Sequence, residues 1–127
     1  MIPEGFSEYA DPGPFLSHVG PLYERDGVFA LRVQEWHLNS DESAHGGLLA
    51  SLADFSVGRA VRAEAGSHAV TVSLTCDYLG PAALGDWVEA RTRVERLGGA
   101  LAFSDCSLVV DEREVVRARA VFAVVGD

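Results

Sequence analysis

The amino-acid sequence predicts an α+β domain in which a curled antiparallel sheet wraps around one long central helix. Two observations lead to this fold class. Residues 48–61 are apolar around most of a helical projection, which is typical of a helix that is buried on most sides. Four later stretches alternate between apolar and polar residues, which is the pattern of half-buried strands. A sheet long enough to curl can bury such a helix, so the two observations support one architecture.

Residues 1–20 are predicted to form an extension in front of the domain. Within it we predict a short helix over residues 15–19, which ends where Gly20 and Pro21 interrupt the chain. We assign residues 21–127 to a single domain, because a chain of 127 residues builds one core of ordinary size. This length is short for an enzyme that builds a deep pocket alone, which favours assembly of several copies.

A first strand of the domain is predicted from residue 28 to about residue 36. Phe29, Leu31 and Val33 lie on one side of it, and Arg32 is among the residues on the other. This two-residue period indicates a strand with one buried face.

The central helix is predicted from about His45 to Ala63. Residues 39–43 precede it as a polar loop, whose serine and aspartate are suitable N-cap residues. Gly66 and Ser67 end the helix. Because its residues are apolar on nearly every face, we expect the helix to be buried all round.

The four later strands complete the predicted sheet. In the first of them, Val70 and Val72 are predicted to share a face with Tyr78, opposite Thr71. Gly98 and the glycine after it are predicted to form a hairpin turn. The predicted strands cover residues 70–78, 88–95, 102–110 and 115–125.

Composition excludes several classes of function. A net charge of −9 and a pI near 4.7 argue against nucleic acid as a partner, because phosphate binding needs a basic face. All ten basic residues are arginine, which excludes a lysine nucleophile or Schiff base. Two isolated cysteines and four scattered histidines show no metal-ligand spacing, so no metal site is expected.

The chain shows no sign of export or of membrane insertion. Its first fifteen residues have neither a positive n-region nor an apolar h-region, so they do not resemble a signal peptide. No apolar run approaches the roughly 20 residues of a membrane span. We therefore expect a cytoplasmic protein that binds neither membrane nor nucleic acid.

Two features of the central helix suggest chemistry. Gly46 and Gly47 stand at its start, although each glycine costs roughly 1 kcal/mol relative to alanine within a helix. The free N–H groups of a helix N-terminus can hold an oxyanion, and glycine lets a ligand atom approach closely. Asp54 is a carboxylate inside the apolar helix, which favours an interfacial ion pair with an arginine, a gap open to solvent, or a general base or nucleophile at a pocket wall.

The spacing of these two features predicts a site shared between two subunits. Gly46 and Asp54 are eight residues apart, which corresponds to about 12 Å along a helix at 1.5 Å per residue. Both groups would have to lie within about 3 to 3.5 Å of one carbonyl to act on it together. A second copy of the helix, antiparallel across a two-fold axis, would bring its Asp54 near the first Gly46.

Residues 37–61, followed by residues 69–82, resemble the hotdog-fold acyl-CoA thioesterases, in particular the phenylacetic acid degradation (PaaI-like) branch. The resemblance extends over about residues 28–125. It depends on His-Gly-Gly at residues 45–47, an asparagine six residues before this histidine, an aspartate nine residues after it, and Tyr-x-x-Pro-Ala at residues 78–82.

The resemblance implies a role for each matching residue. The N–H of Gly46 would hold the thioester oxygen, and Asp54 of the other subunit would be the nucleophile or the base that activates water. Asn39 would help to hold the carbonyl or the water. Thr71 lies where some relatives place a hydroxyl that orients the water or the carboxylate.

Further residues are expected to contact the substrate. His45, Gly47 and Phe55 are the candidates, and for His45 a structural role as a brace or helix cap is the main alternative. Relatives often carry a basic residue in the hairpin where this chain has glycines, so other arginines would have to replace it in meeting a CoA phosphate, unless they are solvated residues paired with Glu89 and Glu95. The candidates are Arg59, Arg62, Arg91, Arg93 and Arg96.

The predicted function is therefore hydrolysis of a small aromatic or medium-chain acyl-CoA by a homodimer, with a tetramer formed as a dimer of dimers. No separate cofactor is implied, because coenzyme A is part of the substrate. Two alternatives stay open. One is a hotdog-fold hydratase or dehydratase that uses Asp41 and His45, and the other is a non-catalytic acyl-CoA binding protein.

Overall fold

A seven-stranded antiparallel sheet curls around one long helix in the computed structural model, which describes residues 1–126. The sheet order is β1-β2-β3-β5-β6-β7-β4. The strands are β1 (Ser7–Glu8), β2 (Tyr23–Arg25), β3 (Val28–Arg32), β4 (His68–Tyr78), β5 (Trp87–Leu97), β6 (Leu101–Val110) and β7 (Arg113–Gly126), and the helices are α1 (Pro14–Val19), a 3-10 turn (Glu35–His37) and α2 (Gly46–Ala65). The predicted α+β class and the long central helix are confirmed.

Helix α2 packs on the inner face of the sheet and forms the centre of the core. The side of the helix that faces the sheet is fully buried at Leu52, Ala53, Val57 and Val61. Gly66 ends the helix in the left-handed region, with φ 68°, where glycine carries no Cβ penalty.

One stripe of α2 is not buried, so the expectation that it is buried all round is wrong. Ser51, Asp54, Phe55, Arg59 and Arg62 are half-buried along this stripe. Their spacing of three and four residues places them on one side of the helix. The curled sheet covers the opposite side, and this difference leaves the predicted reactive carboxylate accessible.

A bulge in β4 reverses the predicted alternation of that strand. Thr71 pairs with Phe122 and Ser73 with Val121, so Val72 is an extra residue without a partner of its own. Phe122 faces the core, and Thr71 therefore lies on the helix-facing side. The prediction that Val70 and Val72 share the face of Tyr78, opposite Thr71, is wrong for this reason.

The first predicted strand is shorter than expected. It ends at Arg32, and residues 35–37 form the 3-10 turn, in which His37 Nδ1 accepts a hydrogen bond of 2.9 Å from the Gln34 N–H. This side-chain bond gives the backbone an alternative to strand pairing.

The N-terminal extension contributes to the sheet. The short helix predicted at residues 15–19 is present as α1, but β1 and β2 were not predicted. Because β1 pairs with β2, and β2 with β3, residues 7–8 continue the sheet across the predicted boundary at residue 20.

Strand β4 is one edge of the sheet within residues 1–126. It is eleven residues long, and Val70 and Val72 are 43% and 59% exposed on it. A long edge strand with exposed apolar side chains is a ready surface for pairing with another strand.

Candidate functional site

The start of α2 forms one wall of a pocket of about 410 Å³. Asn39 and Gly46 both line it, together with Tyr78 at the end of β4. The remaining lining residues are Ser43, Ala44, Leu49, Leu79, Gly80, Pro81 and Ala82. Two of the predicted site residues are therefore brought together here.

Hydrogen bonds within its own loop fix the Asn39 side chain. Its Oδ1 accepts from the Asp41 N–H at 2.8 Å and from the Ser43 N–H at 3.2 Å, which closes a tight turn. Its Nδ2 donates only a long bond of 3.4 Å to Ser43 Oγ. The oxygen is thus occupied by the loop, while the amide N–H groups remain available to a carbonyl or water in the pocket.

His45 caps the helix. Its Nδ1 accepts a hydrogen bond of 2.8 Å from the Gly47 N–H, as an N-cap side chain does. Because this nitrogen is occupied as an acceptor, it is not free to act as a base with Asp41. The geometry therefore favours the structural alternative for His45 over a hydratase pair.

The two glycines have structural reasons that the sequence did not reveal. A Cβ on Gly46 would lie 3.3 to 3.4 Å from ring atoms of Tyr78, and a Cβ on Gly47 would lie 3.0 Å from His45 Nδ1. Both contacts are closer than most Cβ atoms make, so a larger residue would require these neighbouring side chains to shift by a few tenths of an ångström. The close approach of Tyr78 and of the capping histidine therefore favours glycine at both positions, independently of any ligand.

Tyr78 is a site residue that the residue-by-residue reasoning missed. Its hydroxyl donates a 2.7 Å hydrogen bond to the carbonyl oxygen of Gly46 and so ties the end of β4 to the first turn of α2. Burial raises the pKa of the Tyr78 phenol, and the neighbouring Cys76 raises it further, so the hydroxyl keeps its proton. The Tyr-x-x-Pro-Ala motif was the available signal, although it did not indicate this contact.

Asp54 lies in a different pocket, of about 570 Å³, on the open stripe of α2. Thr71 Oγ1 donates a 2.7 Å hydrogen bond to Asp54 Oδ1, so the structure brings these two predicted residues together. Phe55 also lines this pocket. A carboxylate that is held by one hydroxyl and otherwise open to a cavity is suited to act as a base or nucleophile.

The structure does not bring the two pairs together within one protomer. Asn39 and Gly46 line the first pocket, Asp54 and Thr71 line the second, and the two pockets share no lining residue. One pocket offers hydrogen-bond donors and the other offers a carboxylate. Neither pocket therefore contains both kinds of group.

Neither pocket holds a metal-binding cluster. Residues 1–126 contain no group of three or more histidine, cysteine or acidic side chains placed to hold a metal ion. Burial raises the pKa of Cys106 to about 12 and raises that of Cys76 as well. Both thiols are therefore poor nucleophiles near neutral pH.

No helix in the described part of the chain has the length and hydropathy needed to cross a membrane.

The sequence matches known proteins over most of its length. A family model described as "Thioesterase superfamily" matches residues 42–117. A candidate esterase of Pseudomonas aeruginosa is 41% identical over an alignment of 128 positions, which covers 95% of this chain and 96% of that protein. The acyl-coenzyme A thioesterase PaaI of Escherichia coli is 33% identical over 89 residues, which cover 70% of this chain and 63% of that protein.

Solved structures share the fold. The PaaI protein from the phenylacetic acid degradation operon of E. coli superposes with a TM-score of 0.75 at 30% identity, over 80% of this chain and 75% of that one. A Streptococcus mutans protein bound to acetyl-CoA superposes with a TM-score of 0.75 at 28% identity, over 79% of this chain and 81% of that one.

Proposed function

This chain belongs to the thioesterase superfamily and is a thioester hydrolase, and we propose that it hydrolyses a small aromatic or medium-chain acyl-CoA to the free acid and coenzyme A. The similarity to acyl-CoA thioesterases supports the choice of CoA ester. The observation that carries the proposal is the Asp54 carboxylate, which Thr71 holds in an open pocket on the half-buried stripe of α2.

In the proposed mechanism, the N–H of Gly46 and the amide of Asn39 bind the thioester oxygen as negative charge develops on it. The positive end of the α2 dipole supports this charge. Asp54 then takes a proton from a water that attacks the carbonyl carbon, or attacks this carbon itself, and in either case the C–S bond breaks and the thiolate of CoA leaves. In the second case water hydrolyses the resulting mixed anhydride, which releases the free acid and regenerates the Asp54 carboxylate. Thr71 donates to Asp54 and orients the carboxylate.

We propose that each active site combines two subunits. The separation of the Asn39 pocket from the Asp54 pocket within one protomer supports this arrangement. Edge strand β4 carries Thr71 near one end and Tyr78 at the other. Antiparallel pairing of two β4 strands would bring Thr71 and Asp54 of one subunit towards Tyr78 and Gly46 of its partner. Two such dimers would form the expected tetramer.

The test is the release of thiol from a panel of aromatic and aliphatic acyl-CoA esters. We expect the native protein to hydrolyse at least one class, and Asp54→Asn to lose at least a hundredfold in kcat, because the amide is neither a base nor a nucleophile. Asp77→Asn on the outer face of β4 is the matched control and should retain native activity.

The outcomes of this test separate the proposal from its alternatives. A native protein that hydrolyses none of the esters but binds them would be a non-catalytic binding protein. An Asp54→Asn variant as fast as the native protein would contradict the assigned mechanism while leaving the activity itself established.

A further inference from the structure

Five of the ten arginines of this chain form ion pairs within residues 1–126, and the two beside Asp54 are not among them. Every ion pair within residues 1–126 involves an arginine of β5 or β7. These arginines are Arg91, Arg93, Arg113, Arg117 and Arg119. Their positive charges are therefore balanced by carboxylates of the protein itself.

Arg59 and Arg62 are different, because both line the pocket that contains Asp54 and neither has a carboxylate within 4.0 Å in residues 1–126. Both side chains are half-buried. Arg25, Arg32 and Arg96 also have no carboxylate within this distance in residues 1–126, so it is their position in the pocket of Asp54 that distinguishes Arg59 and Arg62. Asp11, an exposed residue, lines the same pocket but lies beyond this distance from both.

Aromatic rings hold the Arg59 guanidinium in position. Its central carbon lies 5.1 Å from the centroid of the Phe55 ring and 5.8 Å from that of Tyr9. Contact with rings uses the flat face of a guanidinium and leaves its N–H edge free for an oxyanion. Arg62 is fixed differently, because its Nε and Nη2 donate to the Ala69 carbonyl oxygen at 3.3 and 3.0 Å. Arg59 is thus the cation available to a ligand, and Arg62 adds positive charge beside it.

The position of Arg59 indicates which part of a substrate would meet it. Arg59 is five residues after Asp54, about 7.5 Å further along the helix axis, and helical side chains lean back towards the N-terminus. Its guanidinium accordingly lies over Phe55, the residue next to Asp54. A thioester beside Asp54 would place the end of a short acyl chain there, whereas the first phosphate of CoA follows the whole pantetheine arm.

We propose that Arg59, supported by Arg62, binds the terminal carboxylate of an ω-carboxyacyl group, so that the preferred substrate is the mono-CoA ester of a dicarboxylic acid. This inference rests on the proposed thioesterase function and specifies the acyl group that the Asp54 pocket receives. Phe55, Gly58 and Phe122 line the apolar part of the pocket, which suits the methylene chain between the two ends.

The experiment measures binding to the intact protein by isothermal titration, with thioether analogues of CoA that cannot be hydrolysed. Two matched pairs are used: carboxypropyl-CoA with butyl-CoA, and carboxypentyl-CoA with hexyl-CoA. We expect the carboxylated member of at least one pair to bind about tenfold more tightly, as a charge-assisted hydrogen bond provides.

Three variants identify the residue responsible. Arg59→Gln should abolish the preference for the carboxylated ligand, and Arg59→Lys should retain part of it because the charge remains. Arg93→Gln on the outer face of the sheet changes the net charge by the same amount and should leave the preference intact. Circular dichroism of each variant establishes that it is folded.

Equal or weaker binding of both carboxylated ligands by the native protein would overturn the proposal while leaving acyl-CoA hydrolysis intact. Arg59→Gln that weakens both members of a pair equally would show that Arg59 meets a CoA phosphate, which also overturns it. Failure of all four thioethers to bind would contradict both this inference and the proposed function.

Discussion

At the scale of single residues, the hydrogen bond between Thr71 and Asp54 decides how the carboxylate can act. A carboxylate on the open stripe of α2 has several rotamers open to it, and one short bond of 2.7 Å selects among them. The bond occupies Oδ1, and Oδ2 accepts no hydrogen bond from residues 1–126, so it can meet a water or a carbonyl carbon. Orientation of a reacting group is a large part of what an active site provides.

Thr71→Val tests this orientation. The variant keeps the shape of the side chain but removes the donor, so we expect kcat for the best acyl-CoA ester to fall about tenfold to a hundredfold while KM changes little. Steady-state kinetics of thiol release measure both constants. Thr71→Ser should recover much of the loss, and Thr75→Val on the outer face should behave like the native protein. A native kcat in Thr71→Val would exclude an orienting role.

How much could be predicted differs between residues of the same site. Asp54 is identifiable from the sequence because burying an unpaired carboxylate within an apolar helix would destabilise the fold, which indicates a partner or a function for this residue. Tyr78 was not assigned a role, because its bond to Gly46 joins residues thirty-two positions apart. No local pattern encodes such a contact, and only the packing of the end of β4 against the start of α2 produces it.

At the scale of elements, the bulge at Val72 is the feature that sequence periodicity could not reveal. Residues 70–78 alternate so regularly that the pattern predicts a straight strand with Thr71 on the outer face. Val72 is an extra residue only in comparison with β7, because β7 has no residue between the partners of Thr71 and Ser73. The existence and order of the central elements follow from local pattern, whereas strand register depends on contacts distant in sequence.

The tie between β4 and α2 is also a property of two elements, and Tyr78→Phe tests it. The variant removes the 2.7 Å bond to the Gly46 carbonyl oxygen while keeping the ring that packs against this glycine. We expect kcat to fall about threefold to tenfold, because the first turn of α2 is then held less firmly beside the thioester. Thiol-release kinetics on the same ester measure the change.

Tyr23→Phe is the matched control for this prediction. Tyr23 is another tyrosine of the sheet, on β2, and its hydroxyl donates no hydrogen bond to any of residues 1–126. Its kinetics should stay native. If both phenylalanine variants reacted alike, the Tyr78 hydroxyl would have no part in positioning the helix.

At the scale of the whole molecule, the resemblance to hotdog-fold thioesterases that the sequence suggested is confirmed by the family match and by the shared fold.

The proposed shared site makes a quantitative prediction about mixed dimers. Asp54→Asn damages one half of each site, and Asn39→Asp damages the other while keeping the loop hydrogen bonds to its oxygen. Each variant alone should be nearly inactive.

Subunit exchange between these two variants should restore activity. In an equal mixture, half of the dimers contain one subunit of each kind, and each of these has one intact site and one doubly damaged site. We therefore expect about a quarter of the native specific activity to appear as exchange proceeds, measured by thiol release. Activity that stays at the average of the two parents after complete exchange would contradict a site built from two subunits.

The exposed edge of β4 also affects the tendency of a single protomer to aggregate before it forms a dimer. Its row of unpaired N–H and C=O groups, flanked by Val70 and Val72, would accept a strand from any nascent or misfolded chain. Pairing with a second copy closes this opening at the same time as it completes the proposed catalytic centre. Newly made protomers would thus gain activity and lose their tendency to aggregate in a single event, and a dilute subunit would lack both benefits.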